Sequence, residues 1–122
     1  MLGAIAGDII GSVYEHRPIK TTEFPLFCSR STWTDDSLLT VAVADALLND
    51  APFGDSLLKW GMCYPHAGFG KSFMEWLRAG GGEPYGSWGN GSAMRVSPVA
   101  WFYQQAFGAM QQPWMRTCPR PA

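Results

Sequence analysis

Apolar residues in this chain recur at three- and four-residue steps in one segment after another. Nowhere do they alternate with polar residues over the length of a strand, and this pattern points to packed helices. In the first segment, residues 2–14, the side chains of Leu2, Ile5, Ile9 and Val13 share one helix face. Gly3, Gly7 and Gly11 form a second stripe at steps of four. A glycine costs about 1 kcal/mol of helix propensity relative to alanine, so the stripe is expected to press against a neighbouring backbone.

Residues 16–33 carry Pro18, Pro25 and several Ser and Thr without a sustained period, and read as a long loop of the kind that often serves function. Thr34 follows as an N-cap, with Asp35 and Asp36 in the first turn, where carboxylates favour the helix dipole. Leu38, Leu39, Ala42, Val43, Ala46 and Leu47 carry that helix to about Asn49. Shorter helices are expected over 55–63 and 71–79, the second ended by Gly80, Gly81 and Gly82. The stretch 83–92 is rich in glycine, and Ser92 is expected to cap a helix from Ala93, with Pro98 near its first turns. From Gln104 onward the pattern weakens, and no internal repeat is present.

A length of 122 residues suits one small domain. Nine Lys and Arg against ten Asp and Glu give a net charge of -1, so no overall basic field draws the chain to nucleic acid or to an anionic membrane. Cys28, Cys63 and Cys118 cannot all pair within one chain and show no close metal-binding spacing, which fits a reduced, cytoplasmic protein. The apolar start lacks basic residues, and Asp8 interrupts it well before the roughly 20 apolar residues a membrane span needs. Neither secretion nor a membrane anchor is expected.

Three places have the residues for chemistry. Thr34-Asp35-Asp36-Ser37 offers hard oxygen ligands of the kind Mg²⁺, Mn²⁺ or Ca²⁺ prefers, although an acidic helix start is also an ordinary capping device. Tyr85-Gly86-Ser87-Trp88-Gly89-Asn90-Gly91-Ser92 permits close backbone approach to a phosphate, with Trp88 as a flat surface for a base, or simply connects two helices. Glu15, beside the proline-containing loop, is placed to act as an acid or base, or is solvated surface.

Taken in order, Gly7-Asp8-Ile9-Ile10-Gly11-Ser12-Val13-Tyr14-Glu15, Thr34-Asp35-Asp36-Ser37 and Ser87-Trp88-Gly89-Asn90-Gly91-Ser92-Ala93-Met94-Arg95 closely resemble the ADP-ribosylglycohydrolase family. The resemblance runs to about Phe102 and includes Tyr64-Pro65-His66-Ala67-Gly68-Phe69-Gly70 and residues 73–77. It implies an all-α orthogonal multi-helix bundle that holds two divalent cations, Mg²⁺ or Mn²⁺, and cleaves the glycosidic bond joining ADP-ribose to another group. By that resemblance Thr34, Asp35 and Asp36 ligate metal, and Asp35 and Asp36 thereby share in catalysis with Glu15. Gly86, Ser87, Trp88, Gly89, Asn90 and Gly91 bind the substrate, with Trp88 against the adenine. The implied partner is ADP-ribose or an ADP-ribosylated substrate.

The chain also departs from that family. No Asp follows Asp55, so the second metal-binding stretch of the form Gly-Asp-x-Asp-Thr/Ser has no counterpart. Neither His16 nor His66 lies beyond the glycine loop, where members place a substrate-contacting histidine. We therefore expect residues 1–103 to be the N-terminal part of the family's domain, incomplete through truncation, and 104–122 to be a divergent, frameshift-like tail. Three alternatives are a homo-oligomer that completes the site between chains, a noncatalytic ADP-ribose or nucleotide-binding module, and an inactive structural fragment with no ligand. Weak metal binding and doubtful activity by the chain alone follow from the missing ligands.

Overall fold

The computed structural model describes residues 1–109; of the expected divergent tail, 104–109 belong to the last described helix and 110–122 lie outside the described residues. Among the described residues six α-helices follow one another: α1 (Leu2–Gly11), α2 (Asp35–Leu48), α3 (Phe53–Cys63), α4 (Lys71–Arg78), α5 (Gly91–Met94) and α6 (Ser97–Ala109). A 3₁₀ turn, Ser12–Tyr14, extends α1, and no strand occurs among the described residues. The all-α expectation holds.

The core is built around α2. Leu38, Leu39, Ala42, Val43 and Ala46 are all buried, and α1, α3, α5 and α6 pack against this helix. Leu39, Ala42, Val43 and Leu57 form the buried cluster, with Trp60, Phe69, Phe73, Trp76, Met94 and Val99 closing over it. Such a helix is apolar on most of its circumference because it has neighbours on most sides. Asp50, at φ 50°, turns the chain out of α2, and the Ala51 N–H donates to the Ala46 carbonyl at 2.9 Å. Gly80 and Gly81, at φ 82° and 84°, end α4 in the same manner, as expected from the glycine run.

The glycine stripe of α1 does not pack as expected. A Cβ added at Gly3, Gly7 or Gly11 meets nothing within 4 Å, and α1 buries no residue fully. The close approach lies instead between α3 and α4, where a Cβ on Gly61 would stand 2.7 Å from Leu77 Cδ2.

Ser92 is not a cap either. It lies within α5, whose N-cap is Asn90, and α5 stops at Met94 before α6 begins at Ser97. Proline explains the break. In one continuous helix the Pro98 ring would clash with the Met94 carbonyl, whereas in the first turn of a new helix it is tolerated. The Met94 carbonyl accepts from the Thr40 hydroxyl of α2 at 3.4 Å.

The loop over residues 16–33 is irregular, as expected, and is tied back to the end of α1. The Thr32 N–H donates to Ser12 Oγ at 3.1 Å, and the Tyr14 and Phe24 rings meet edge to face at 5.5 Å. No helix among the described residues is long and apolar enough to cross a membrane.

Candidate active site

The Thr34 hydroxyl caps α2 as expected, accepting from the Asp36 N–H at 3.3 Å. The larger part of the capping comes from α1. Asp8 Oδ2 accepts from the N–H groups of Thr34 at 2.8 Å and Ser37 at 3.2 Å, and Asp8 Oδ1 accepts from the Thr34 hydroxyl at 2.5 Å. A carboxylate one helix away thus satisfies donors that the start of α2 leaves free.

This junction forms one wall of a cleft of about 530 Å³ lined by Gly7, Asp8, Gly11, Ser12, Glu15, Thr34, Asp35, Asp36, Gly68, Gly70, Asn90 and Met94. Glu15, the acidic helix start and Asn90, drawn from three separate motifs, therefore line the same space. The glycine stripe also finds its place here: Gly7 and Gly11 leave the floor of the cleft open. Gly68, at φ 98°, adopts a conformation that favours glycine, and a Cβ there would stand 3.8 Å from Asp35 Oδ1.

The glycine-rich loop divides between two places. Asn90 lines the acidic cleft, while Gly86 and Ser87 line a separate cavity beside Phe73 and Trp76. Trp88 is fully solvent-exposed, at 103%. Gly89 donates its N–H to Ser87 Oγ at 3.1 Å, and Gly91 opens α5.

Sequence reasoning missed Asp8 as a member of the site, together with Gly68 and Gly70. A single acid on an otherwise apolar helix was the available signal for Asp8. For the glycines the signal was the Gly68-Phe69-Gly70 spacing.

Electrostatically the cleft is one-sided. Four of its lining residues are carboxylates, Asp8, Glu15, Asp35 and Asp36, and none is basic. Partial burial, then the neighbouring charge of Asp36, push the Asp35 carboxyl up to about 6. Burial followed by the charges of Asp8 and Glu15 pushes Asp36 upward as well. Both shifts reflect partial burial first and the neighbouring carboxylates second.

The donor chemistry suits a hard divalent ion. Asp35 and Asp36 have free oxygens, and Thr34 Oγ1, with one lone pair used by the Asp36 N–H, retains one more. Among the described residues, however, no three His, Cys, Asp or Glu side chains converge as a metal site. The fit is thus one of ligand type, with a shell that these side chains leave open.

Fold and cleft together define an all-helical protein whose acidic helix start, capped from a neighbouring helix, faces a glycine-rich loop. A family model described as ADP-ribosylglycohydrolase matches residues 1–116, and the chain belongs to that family. Among curated proteins it is similar to "ADP-ribosylarginine hydrolase Tri1" of Pseudomonas putida (strain GB-1), 25% identical over 135 aligned positions. That alignment covers 89% of this chain and 36% of the relative, so the chain spans about a third of the relative's length. No solved structure matches the chain.

Proposed function

We propose that the chain carries the acidic half of the active site of a hydrolase that cleaves the glycosidic bond between ADP-ribose and another group. The observation that carries this reading is the convergence of Glu15, Thr34-Asp35-Asp36 and Asn90 on one cleft within a member of the ADP-ribosylglycohydrolase family. An ADP-ribosylated arginine is the first substrate to test, because the P. putida relative is named for it.

In this reading Asp35 and Asp36, with Thr34 beside them, hold one of the two Mg²⁺ or Mn²⁺ ions that the resemblance implies. Such an ion would offset the negative cleft, bind ribose hydroxyls and polarise water. Asp8 is a positioning residue: its three hydrogen bonds fix the helix start that carries the ligands. Glu15, exposed on the cleft wall, takes a proton from the attacking water or orients it as the bond to the leaving group breaks. Asn90 gives the substrate a polar contact from the opposite motif. Gly86, Ser87, Gly89 and Gly91 shape the loop along the diphosphate and adenosine portion, and Trp88 meets the adenine from its solvent-exposed position.

A second reading is favoured by one observation, the absence of three converging metal-ligating side chains among the described residues. In that reading the chain binds ADP-ribose without turnover, or acquires the missing ligands from a second copy.

Calorimetric titration of ADP-ribose with and without Mg²⁺, together with the mass in solution, separates these readings. Metal-dependent binding followed by release of ADP-ribose from ADP-ribosylarginine supports the hydrolase, and an oligomer under those conditions supports a site completed between chains. Metal-independent binding without turnover supports the binding module. No binding in either condition overturns both readings for this chain.

A further inference from the structure

Asn90 brings the glycine loop to the acidic cleft, and it is the N-cap of α5, a helix of only four residues. A helix that short does not hold itself together in water, so its place depends on what it is attached to. The Asn90 side chain makes no capping bond, so its amide is not used up at the helix start. Its carbonyl accepts the N–H groups of Ala93 at 2.8 Å and Met94 at 3.0 Å. The position of Asn90 therefore follows that of Met94.

Met94 is attached to α2 in two ways. Its side chain packs against the buried cluster of Leu39, Ala42, Val43 and Leu57, and its carbonyl stands 3.4 Å from Thr40 Oγ1. Thr40 is 1% exposed, and its hydroxyl lies 2.7 Å from the Asp36 carbonyl. One proton is thus shared between two acceptors, with Asp36 the nearer, but the two do not depend on it equally. Inside an α-helix the Asp36 carbonyl also accepts the N–H of residue 40. The Met94 carbonyl would take the N–H of residue 98 in a continuous helix, but residue 98 is proline and has none. Loss of the hydroxyl leaves the Asp36 carbonyl paired and takes a donor from the Met94 carbonyl.

We propose that Thr40 is a positioning residue for Asn90: from inside α2 it holds the end of α5, and so sets the span between Asn90 and the carboxylates of Asp35 and Asp36. The proposal rests on the reading of the cleft as an ADP-ribose site. Packing alone would be served by valine, which has nearly the shape of threonine and buries no polar group. The hydroxyl adds a link between the acidic helix start and the glycine loop, two motifs that are far apart in the sequence and face each other across the cleft.

The test compares the full chain with Thr40→Val, which removes the hydroxyl, and Thr40→Ser, which keeps it. Amide hydrogen exchange without ligand reads the link. In Thr40→Val the Ala93 and Met94 amides are expected to exchange about fivefold faster relative to those of α2, and in Thr40→Ser to keep their original rates. Calorimetric titration reads the consequence: ADP-ribose binds about fivefold more weakly to Thr40→Val and normally to Thr40→Ser, while the Mg²⁺-dependent thermal shift is unchanged in both. Equal acceleration in α2 and α5 would make the hydroxyl a general packing feature, and that result, like unchanged exchange at Ala93 and Met94, overturns the proposal. Faster exchange with unchanged ADP-ribose affinity overturns it too, because the place of Asn90 would not matter to the site. If the unmodified chain binds no ADP-ribose, the reading of the cleft fails for this chain, and the exchange rates alone decide whether Thr40 holds α5. Should Thr40→Val not fold, Pro98→Ala gives residue 98 an N–H that competes for the Met94 carbonyl. The same weakening of ADP-ribose binding is then expected, and unchanged binding overturns the proposal.

Discussion

Asp8, in the middle of α1, accepts the hydroxyl proton of Thr34, the N-cap of α2, at 2.5 Å. The same carboxylate also accepts two backbone N–H groups of that helix start. Since α1 buries no residue fully, this charge-assisted junction is a principal tether holding it to the core. Asp8→Ala is therefore expected to destabilise the protein by about 2 kcal/mol. Amide hydrogen exchange should show α1 and the first turn of α2 losing protection while α3 keeps its own. Unchanged exchange in α1 would mean that apolar contacts alone hold the helix.

The acidic cleft makes stability fall as pH rises. Asp35 is held near 6 in the folded state, above its ordinary value of 3.8, so the folded protein binds the proton more tightly than the unfolded chain does. The folded form is favoured below about 4, and this advantage disappears as pH rises through 6. Without added metal, Asp35→Asn should raise the melting temperature by a few degrees at pH 8 and have little effect at pH 4. Equal shifts at both pH values would assign the effect to packing or hydrogen bonding instead of charge.

A divalent cation should reverse the same penalty. Mg²⁺ or Mn²⁺ at ten times its dissociation constant would stabilise the chain by about 1.4 kcal/mol if it binds only the folded form. Protons compete for Asp35 and Asp36, so the thermal shift should be present at pH 8 and largely lost at pH 5. The Asp35→Asn/Asp36→Asn variant should abolish it. A shift that survives in this variant would place the ion elsewhere.

Much of this arrangement was legible in the sequence because it depends on local rules. Helix periodicity located α1 to α4, and the Thr-Asp-Asp start of α2 is a capping signal whose geometry follows from the residues themselves. The partnership of Asp8 with Thr34 was not legible, because it joins residues 26 apart and depends on how two helices cross. The division of the glycine loop was hidden for a similar reason: Asn90 lines the cleft formed with α1 and α2, whereas Gly86 and Ser87 line the cavity beside Phe73 and Trp76, a relation between segments distant in sequence. The Gly3-Gly7-Gly11 spacing was visible, but it correctly signalled only a need for space. At Gly7 and Gly11 the cleft, not a neighbouring backbone, occupies that space.

The two kinds of glycine should therefore respond in opposite ways to the same substitution. Gly61 is buried where α3 meets α4, and an added methyl would stand 2.7 and 2.9 Å from the two Leu77 methyl carbons. Leu77 is only 3% exposed and has little room to move, so Gly61→Ala should cost about 1–3 kcal/mol through overpacking despite the gain in helix propensity. Gly7 also lies within a helix, but an added Cβ there meets nothing within 4 Å. Gly7→Ala should stabilise α1 by up to about 1 kcal/mol in thermal or urea unfolding while narrowing the cleft beside Asp8. Weaker ADP-ribose binding by this more stable variant would show that the stripe is kept open for a ligand. Loss of stability at Gly7 together with tolerance at Gly61 would reverse the assignment of which glycine serves packing and which serves the site.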